Sequence, residues 1–373
     1  MFGRKKNTFP GGIHPTDGRD KMQTYDKPIQ RFNMKEPGPP MDYEQQVTGP
    51  GDHKRQEILE ILKEKGLTGM GGAGFPTYLK YSTDKDIDVI LINGAECEPF
   101  LTCDYRLMLE CAPAVINGVL ILKRAAGAGK AIICIEDNKK KAAERLREFT
   151  GGISDVEVLL LPTRYPQGGE RQLIQAVLGK EVPKGCFPAD VGVIVSNVAT
   201  AKAAADAVLG KKKPESRVVT VTGAVKSPGN YLTSVGTSLR DLLLHCEGVT
   251  AEENMVILGG PMTGKCVAVN WDGGEIGEVT LTTAGIVVIP GKGWEVQPCI
   301  RCGACIRCCP AGLAPVNIET AFLKEEWKLC EELYASECIA CGCCSYVCPA
   351  RRELAYHVIE ARNTIRQRRD VSQ

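Results

Sequence analysis

Two short cysteine runs toward the C-terminal end constrain this chain more than any other feature. The first reads Cys299-Ile-Arg-Cys302-Gly-Ala-Cys305-Ile-Arg-Cys308-Cys309-Pro310, and the second Cys338-Ile-Ala-Cys341-Gly-Cys343-Cys344-Ser-Tyr-Val-Cys348-Pro349. Each contains C-x2-C-x2-C-x3-C-P. Three closely spaced thiolates wrap three corners of an iron–sulfur cube, and the fourth, turned away by its proline, reaches the other cluster. On that logic Cys299, Cys302, Cys305 and Cys348 hold one 4Fe–4S cluster, while Cys338, Cys341, Cys344 and Cys309 hold a second. Structural zinc needs only four thiolates per site and gives C-x2-C pairs. A disulfide framework does not suit a long chain without a secretory signal. Cys308 and Cys343 fall outside the register and read as spectators, the alternative being a swap with Cys309 or Cys344.

At 373 residues, with 43% hydrophobic and 24% charged residues, the chain has material for two or three domains with real cores. A net charge of +1 argues against a nucleic-acid partner. No apolar run reaches the roughly 20 residues that span a bilayer, and the run around Val119–Ile135 is broken by Lys123, Arg124 and Lys130. The opening Met1-Phe-Gly-Arg-Lys-Lys has no apolar core of a signal peptide. The histidines, His14, His53, His245 and His357, are scattered singly and make no metal or triad pattern.

Residues 1–52 are rich in Gly and Pro and read as an extended arm. Ile58, Leu59, Ile61 and Leu62 give a helical stripe that Gly66 ends. Gly69-Met-Gly71-Gly72-Ala73-Gly74-Phe75-Pro76 follows, with Lys80 just beyond. Gly69, Gly71 and Gly74 satisfy G-x-G-x-x-G, but a helix precedes them where the dinucleotide fingerprint requires a strand. Two readings stay open: bare backbone that approaches a phosphate or flat ring, with Lys80 balancing charge, or a mobile glycine loop. Val89–Ile92 is a buried strand that delivers Asn93-Gly-Ala-Glu96-Cys97-Glu98-Pro99 to its carboxyl end, where α/β sheets place ligand groups. An extended backbone there sends Glu96 and Glu98 to opposite sides; solvated loop carboxylates are the plainer alternative. Helix and strand then alternate through helix 105–124, strand 131–135, helix 139–149, strand 156–161, helix 172–178, strand 191–196 and helix 199–209, which favours a parallel sheet. Gly127-Ala-Gly-Lys130 lacks the following Ser or Thr of a Walker motif. Asn197 and Thr200 lie at another strand's carboxyl end.

Lys211–Pro214 marks a boundary, so the expected domains are 53–213, 214–292 and 293–373. The middle one has strand patterns at 217–225, 255–258 and 278–289 and a helix at 239–245 with Ser238 as its cap. It reads as a spacer without chemistry of its own. Cys330 falls on a packed helix between the cysteine runs. Arg351, Arg352, Arg362, Arg366, Arg368 and Arg369 make a basic tail, either simply solvated or attracted to an anionic membrane or acidic partner.

Gly69–Thr77 with Lys80, Asn93–Pro99 and Ser196-Asn-Val-Ala-Thr200, in that order, resemble the FMN- and NADH-binding flavoprotein subunit of respiratory complex I. Gly11-Gly-Ile-His-Pro15 and the two-cluster C-terminus narrow the resemblance to the C subunits of Rnf ion-translocating electron transport complexes, over nearly the whole chain. The resemblance implies an α/β fold: a Rossmann-like FMN/NADH-binding domain, a small β-grasp (SLBB-like) module, and a C-terminal ferredoxin-like helical domain with two clusters. It implies that Gly69, Gly71, Lys80, Asn93, Glu96, Asn197 and Thr200 cradle FMN, with Gly74 in the same loop, and that Gly72, Ala73, Phe75 and Glu98 meet NAD(H). Ala95 stands where complex I usually has Asp, and a short Pro- and Gly-rich stretch stands where the family carries a lipoyl-like domain. The implied activity is ferredoxin:NAD oxidoreduction: hydride exchange between NAD(H) and FMN, then single electrons through two 4Fe–4S clusters. The implied partners are the other subunits of a membrane-bound complex, with the chain peripheral on the cytoplasmic face. A cobalamin-reductase-type flavoprotein and a non-catalytic electron-relay or docking subunit are the alternatives.

Anaerobically reconstituted protein is expected to hold about eight irons per chain, with paired paramagnetic signals after reduction. Replacing Cys309 should damage the second cluster and replacing Cys308 should do little. Four irons, bound zinc, or equal damage from both replacements would overturn the register.

Overall fold

In a computed structural model the chain is described at residues 27–32, 41–251, 254–267, 277–291, 293 and 295–371. The Gly11–Pro15 segment and most of the expected arm lie outside those residues. The described parts of the arm are built into the fold. Strand β1 (Gln30–Phe32) pairs in parallel with Tyr231–Thr233, and helix α1 (Asp42–Gln45) sets Tyr43 into the main core. Buried Asn117 fastens this stretch. Its amide group donates to the carbonyls of Tyr43 and Gln46 at 2.9 Å each, and its oxygen accepts from the Thr48 and Gly49 N–H groups at 2.8 Å. Two donated and two accepted bonds use the whole capacity of one carboxamide.

Helix α2 (Arg55–Glu64) buries Ile58, Leu59 and Leu62, and Gly66, at φ 67°, turns the chain into the glycine loop and α3 (Thr77–Tyr81). The central sheet comes next: β2 (Val89–Gly94), α4 (Cys103–Glu110), α5 (Ala112–Ala126), β3 (Lys130–Glu136), α6 (Lys140–Thr150), β4 (Val156–Leu161), α7 (Glu170–Leu178), β5 (Val193–Asn197) and α8 (Val198–Val208). Its strands are all parallel, in the order β4-β3-β2-β5. Helices cover both faces, which is why the strands read as continuous apolar runs. Ile90, Ile92, Ile133 and Ile135 pack toward α5, α6 and α8. Val89, Leu91, Ile132 and Cys134 pack on Leu173 and Ile174 of α7. Each such side chain contributes roughly 1.5–3 kcal/mol of burial.

The helix expected over 105–124 is two helices bent by 97°. Cys111, at φ −119° and ψ 29°, breaks it, and Pro113 sits in the first turn of α5. A continuous helix would drive the Pro113 ring into the preceding turn, where it also lacks an N–H to give. Helix α5 then packs on α8 so closely that a Cβ on Gly118 would sit 1.7 Å from the Ala201 carbonyl oxygen.

The second sheet has the order β1-β7-β6-β10-β8-β9, from β6 (Ser216–Gly223), β7 (Gly229–Ser234), β8 (Asn254–Leu258), β9 (Lys265–Val267) and β10 (Gly285–Pro290). Parallel β6 and β10 form its centre. Helix α9 (Leu239–His245) lays Leu239, Leu242 and Leu243 on Val219, Val221, Ile286 and Val288. Ser238 stands at its N-cap position without a side-chain capping bond. The strand expected over 278–289 is confined to β10. Ahead of it, the Thr280 N–H donates to Thr283 Oγ1 at 3.0 Å and the Thr282 N–H to Thr280 Oγ1 at 3.3 Å. Such local side-chain bonds compete with a ladder.

In the last part, α10 (Ala304–Arg307) and α13 (Cys343–Tyr346) occupy equivalent places in the two cysteine runs, each preceded by a left-handed glycine, Gly303 or Gly342. Helices α11 (Pro315–Leu323), α12 (Trp327–Glu332) and α14 (Leu354–Val371) pack around Ile318, Cys330 and Val358. Much of the basic tail is engaged within the fold rather than presented as a free patch. Arg352 binds buried Glu319 at 2.8 Å, Arg362 donates to the Cys338 carbonyl at 2.6 Å, and Arg369 pairs with Glu331.

Gly118→Ala is expected to lower stability by about 1–3 kcal/mol or more, because backbone must move to admit the methyl. The measurement is the urea midpoint at unchanged slope. Stability within about 0.5 kcal/mol of the parent would mean that α5 and α8 separate freely.

Candidate flavin pocket and thiol quartets

The glycine loop is a closed turn. The Gly69 N–H donates to the Phe75 carbonyl at 2.8 Å, and the Thr77 N–H to that of Leu67 at 2.8 Å. Gly72 and Gly74 have φ of 111° and 65°, values a side chain would strain. Met70, between the first two glycines, is held at both ends: its N–H donates to Thr200 Oγ1 at 2.9 Å, and its carbonyl accepts from Arg217 Nη1 at 2.7 Å. Gly71, Gly72 and Ala73 leave their backbone exposed, with Phe75 52% exposed beside them. A Cβ on Gly71 would meet Asn197 Cβ at 3.2 Å.

The carboxyl ends of β2 and β5 meet this loop. Asn197 accepts from the Ala199 N–H at 2.8 Å, capping α8, and donates to Asp104 at 2.6 Å. Asn93 donates to the Gly168 carbonyl at 2.8 Å. Lys80 pairs with Glu170 at 2.7 Å. The structure thus brings Gly69, Gly71, Lys80, Asn93, Asn197 and Thr200 to one edge of the sheet.

Glu96 and Glu98 diverge from it in opposite senses. Glu96 is buried and accepts from the N–H groups of Asp104 at 2.9 Å and Tyr105 at 3.2 Å, at the start of α4. Glu98 reaches the β-grasp module and accepts from the Met262 N–H at 2.7 Å and the Thr263 N–H at 3.0 Å. Burial pushes the Glu98 carboxyl up, and those amide bonds oppose the rise.

Several residues at this edge escaped the sequence reading. Tyr165-Pro-Gln-Gly-Gly-Glu170 joins β4 to α7 and closes over Asn93 and Cys97: Gly168 gives its N–H to Cys97 Sγ at 3.3 Å. A Pro/Gly-rich segment directly after a parallel strand was the available signal. Lys139, fully buried, donates to the Glu96 carbonyl at 3.0 Å and pairs with Glu136 at 3.1 Å. Its burial has no sequence signature, because a lysine at a helix start reads as solvated.

The arrangement fits a flavin phosphate and ring: exposed side-chain-free backbone, a cation at Lys80, and polar atoms awaiting partners. Thr77 Oγ1, Gln167 Nε2 and Gln172 Oε1 are buried around it without a hydrogen bond, a costly state that a ligand relieves.

The thiols fit two clusters. Cys309, Cys338, Cys341 and Cys344 line one pocket, although Cys309 comes from the first run. Cys348 interacts with Cys305, and Arg352 interacts with both Cys299 and Cys348. Equivalent amides face sulfur in both runs, Arg301 N–H to Cys299 and Ala340 N–H to Cys338, each at 3.4 Å. Cys343 also lines the pocket and bonds Cys341, which holds the Cys341 thiol below its ordinary value. Cys308 donates to the Cys305 carbonyl at 3.4 Å.

The two parts touch. Tyr165 donates to the Cys341 carbonyl at 2.7 Å. A Cβ on Gly342 would lie 2.2 Å from the Met262 carbonyl oxygen.

Residues 62–206 match the family model of the Nuo51 FMN-binding domain and residues 218–265 that of the SLBB domain. The chain is 42% identical over 286 residues to the C subunit of the proton-translocating ferredoxin:NAD(+) oxidoreductase complex of Clostridium ljungdahlii, covering 75% of this chain and 61% of that one. It is 40% identical over 325 residues to the Na(+)-translocating counterpart of Acetobacterium woodii, covering 85% and 72%. It is 39% identical over 269 residues to the C subunit of the ion-translocating oxidoreductase complex of Salmonella gallinarum, covering 71% and 40%. The matched region therefore spans between two-fifths and about three-quarters of these relatives. Among solved structures, an NAD+-reducing nickel–iron hydrogenase in its H2-reduced state superposes with a TM-score of 0.58 at 19% identity, over 88% of this chain and 67% of that one; that likeness is one of fold. An FMN-binding-type α/β domain, an SLBB module and a doubled cysteine run in this order, with such identities, place the chain in the family of C subunits of the ion-translocating ferredoxin:NAD oxidoreductase complexes.

Proposed function

We propose that the protein is a peripheral, catalytic subunit of a membrane-bound, ion-translocating ferredoxin:NAD oxidoreductase, working as three domains over 53–213, 214–292 and 293–373. The observation that carries this reading is that the Cys341 loop packs against the same sheet edge that gathers the glycine loop. Bound FMN supplies the exchange of a two-electron hydride with NAD(H) for the single electrons that iron–sulfur clusters carry.

The chain's own residues prepare that exchange. Thr200 and Arg217 hold Met70 from opposite sides, so Gly69 and Gly71 present bare backbone to the cofactor. Lys80 offers charge to a phosphate by leaving Glu170. Exposed Gly72, Ala73 and Phe75, with half-buried Gly74 between them, line the approach for NAD(H). Glu96 fixes the start of α4, and Asn93 and Asn197 fix the ends of β2 and β5. The second cysteine run faces the flavin domain, whereas Cys299 and Cys302 of the first are exposed, on the side where a partner takes or gives electrons.

Among the described residues no single helix is long and apolar enough to cross a membrane. The bent α4–α5 pair that passes on composition is core, since Val115, Ile116, Val119 and Ile121 are fully buried. Docking to membrane subunits at the cytoplasmic face is the mode of attachment in this reading, and a high-salt wash should release the protein.

Gly71→Val should lose FMN and NADH-dependent ferricyanide reduction while keeping its iron, because the side chain displaces Asn197 and fills cofactor space. Cys341→Ala should retain FMN and at least part of the ferricyanide activity, while iron falls toward about half and transfer to membrane partners stops. Flavin and NADH turnover that survive Gly71→Val would remove this loop from hydride entry.

A further inference from the structure

We propose that Tyr165 is a positioning residue that holds the second cysteine loop against the flavin domain, an inference that rests on the electron-passing role above. Four segments distant in sequence converge here. From the loop after β4, the Tyr165 hydroxyl donates to the carbonyl of Cys341 at 2.7 Å. The same side chain lies beside the Glu98 carboxylate. Glu98 in turn accepts from the Met262 and Thr263 amides of the β-grasp module. The Met262 carbonyl closes the circuit against Gly342, whose φ of 75° and missing side chain permit the approach.

The chemistry of this junction is that of a spacer of fixed length. A phenol is rigid, with two side-chain torsions, and its one proton is shared between the Glu98 carboxylate and the main chain of a residue that itself carries a cluster-ligating thiol. The Glu98 carboxylate, already engaged by two amides, anchors the ring's other neighbour instead of extending toward the glycine loop. Tyr165 therefore acts through Cys341 and not on a substrate. Opening of the contact would separate the flavin domain from the second thiol quartet without disturbing either one. Arg171, on the following helix, adds a longer contact to Glu337 at 3.5 Å. Of these two contacts, the tyrosine bond is the one made to a ligand residue.

The test is Tyr165→Phe in the full-length chain, loaded with FMN and iron. Flavin and iron contents and the kcat and KM for NADH with ferricyanide should match the parent. Amide hydrogen exchange over 338–346 should quicken by about fivefold, the effect of losing one intramolecular hydrogen bond. In rapid mixing with NADH, reduction of the clusters should slow by a similar factor. Unchanged exchange and unchanged cluster reduction with intact cofactors would overturn the proposal. A raised KM for NADH with unchanged cluster reduction would also overturn it, by placing Tyr165 at the nucleotide. If the parent protein takes up no FMN, the electron-passing role itself fails. The exchange comparison still reads the junction in that case, so the two failures are distinguishable.

Discussion

Arg217 is the interaction on which the arrangement of the first two domains turns. The residue is 3% exposed, and its side chain leaves strand β6 to reach the Met70 and Leu281 carbonyls. A buried guanidinium is tolerated only where oxygens receive it; Asp104 lies near, and the guanidinium opposes the rise that burial imposes on that carboxyl. Removing the side chain would strip the Met70 carbonyl of its partner at a point where the glycine loop is held from outside its own domain. The module that reads as an inert spacer is thus part of the loop's frame, and it takes a second hold through Met262 and Thr263 on Glu98.

The parallel sheet was legible because both of its faces are buried, which leaves uninterrupted apolar runs such as Val89–Ile92 at regular spacing. The cluster-binding character of the cysteine-rich region was legible because cluster geometry dictates cysteine spacing directly. Other features depend on tertiary partners and carry little local signal. The 97° break at Cys111 is written in Pro113, but the apolar periodicity on either side outweighs it. The Tyr165–Glu170 loop becomes recognisable only once β4 is known to lie in a parallel sheet. Arg217 and Lys139 sit in unremarkable polar surroundings in sequence, and burial alone reveals their tasks.

The glycine loop shows the same limit from the other side. Its three spaced glycines match a dinucleotide fingerprint that the preceding helix contradicts. Backbone freedom at Gly72 and Gly74 and the close approach of Gly71 to Asn197 explain the glycines without that fingerprint. The residue types were readable, and the architecture that uses them was not.

The crossing of the two cysteine runs has a consequence for how the protein is made. Cys309 joins the thiols of the second run, and Cys348 returns to those of the first. A ribosome that has released the first run has delivered just three thiols of its own quartet, and the fourth emerges only when the second run is nearly complete. On the ligand sets expected from the cysteine spacing, neither metal centre is finished during synthesis until most of the interval has left the ribosome. Loading one centre then draws the opposite run into place for the other, so assembly of the pair is cooperative by topology, like the closing of a double clasp.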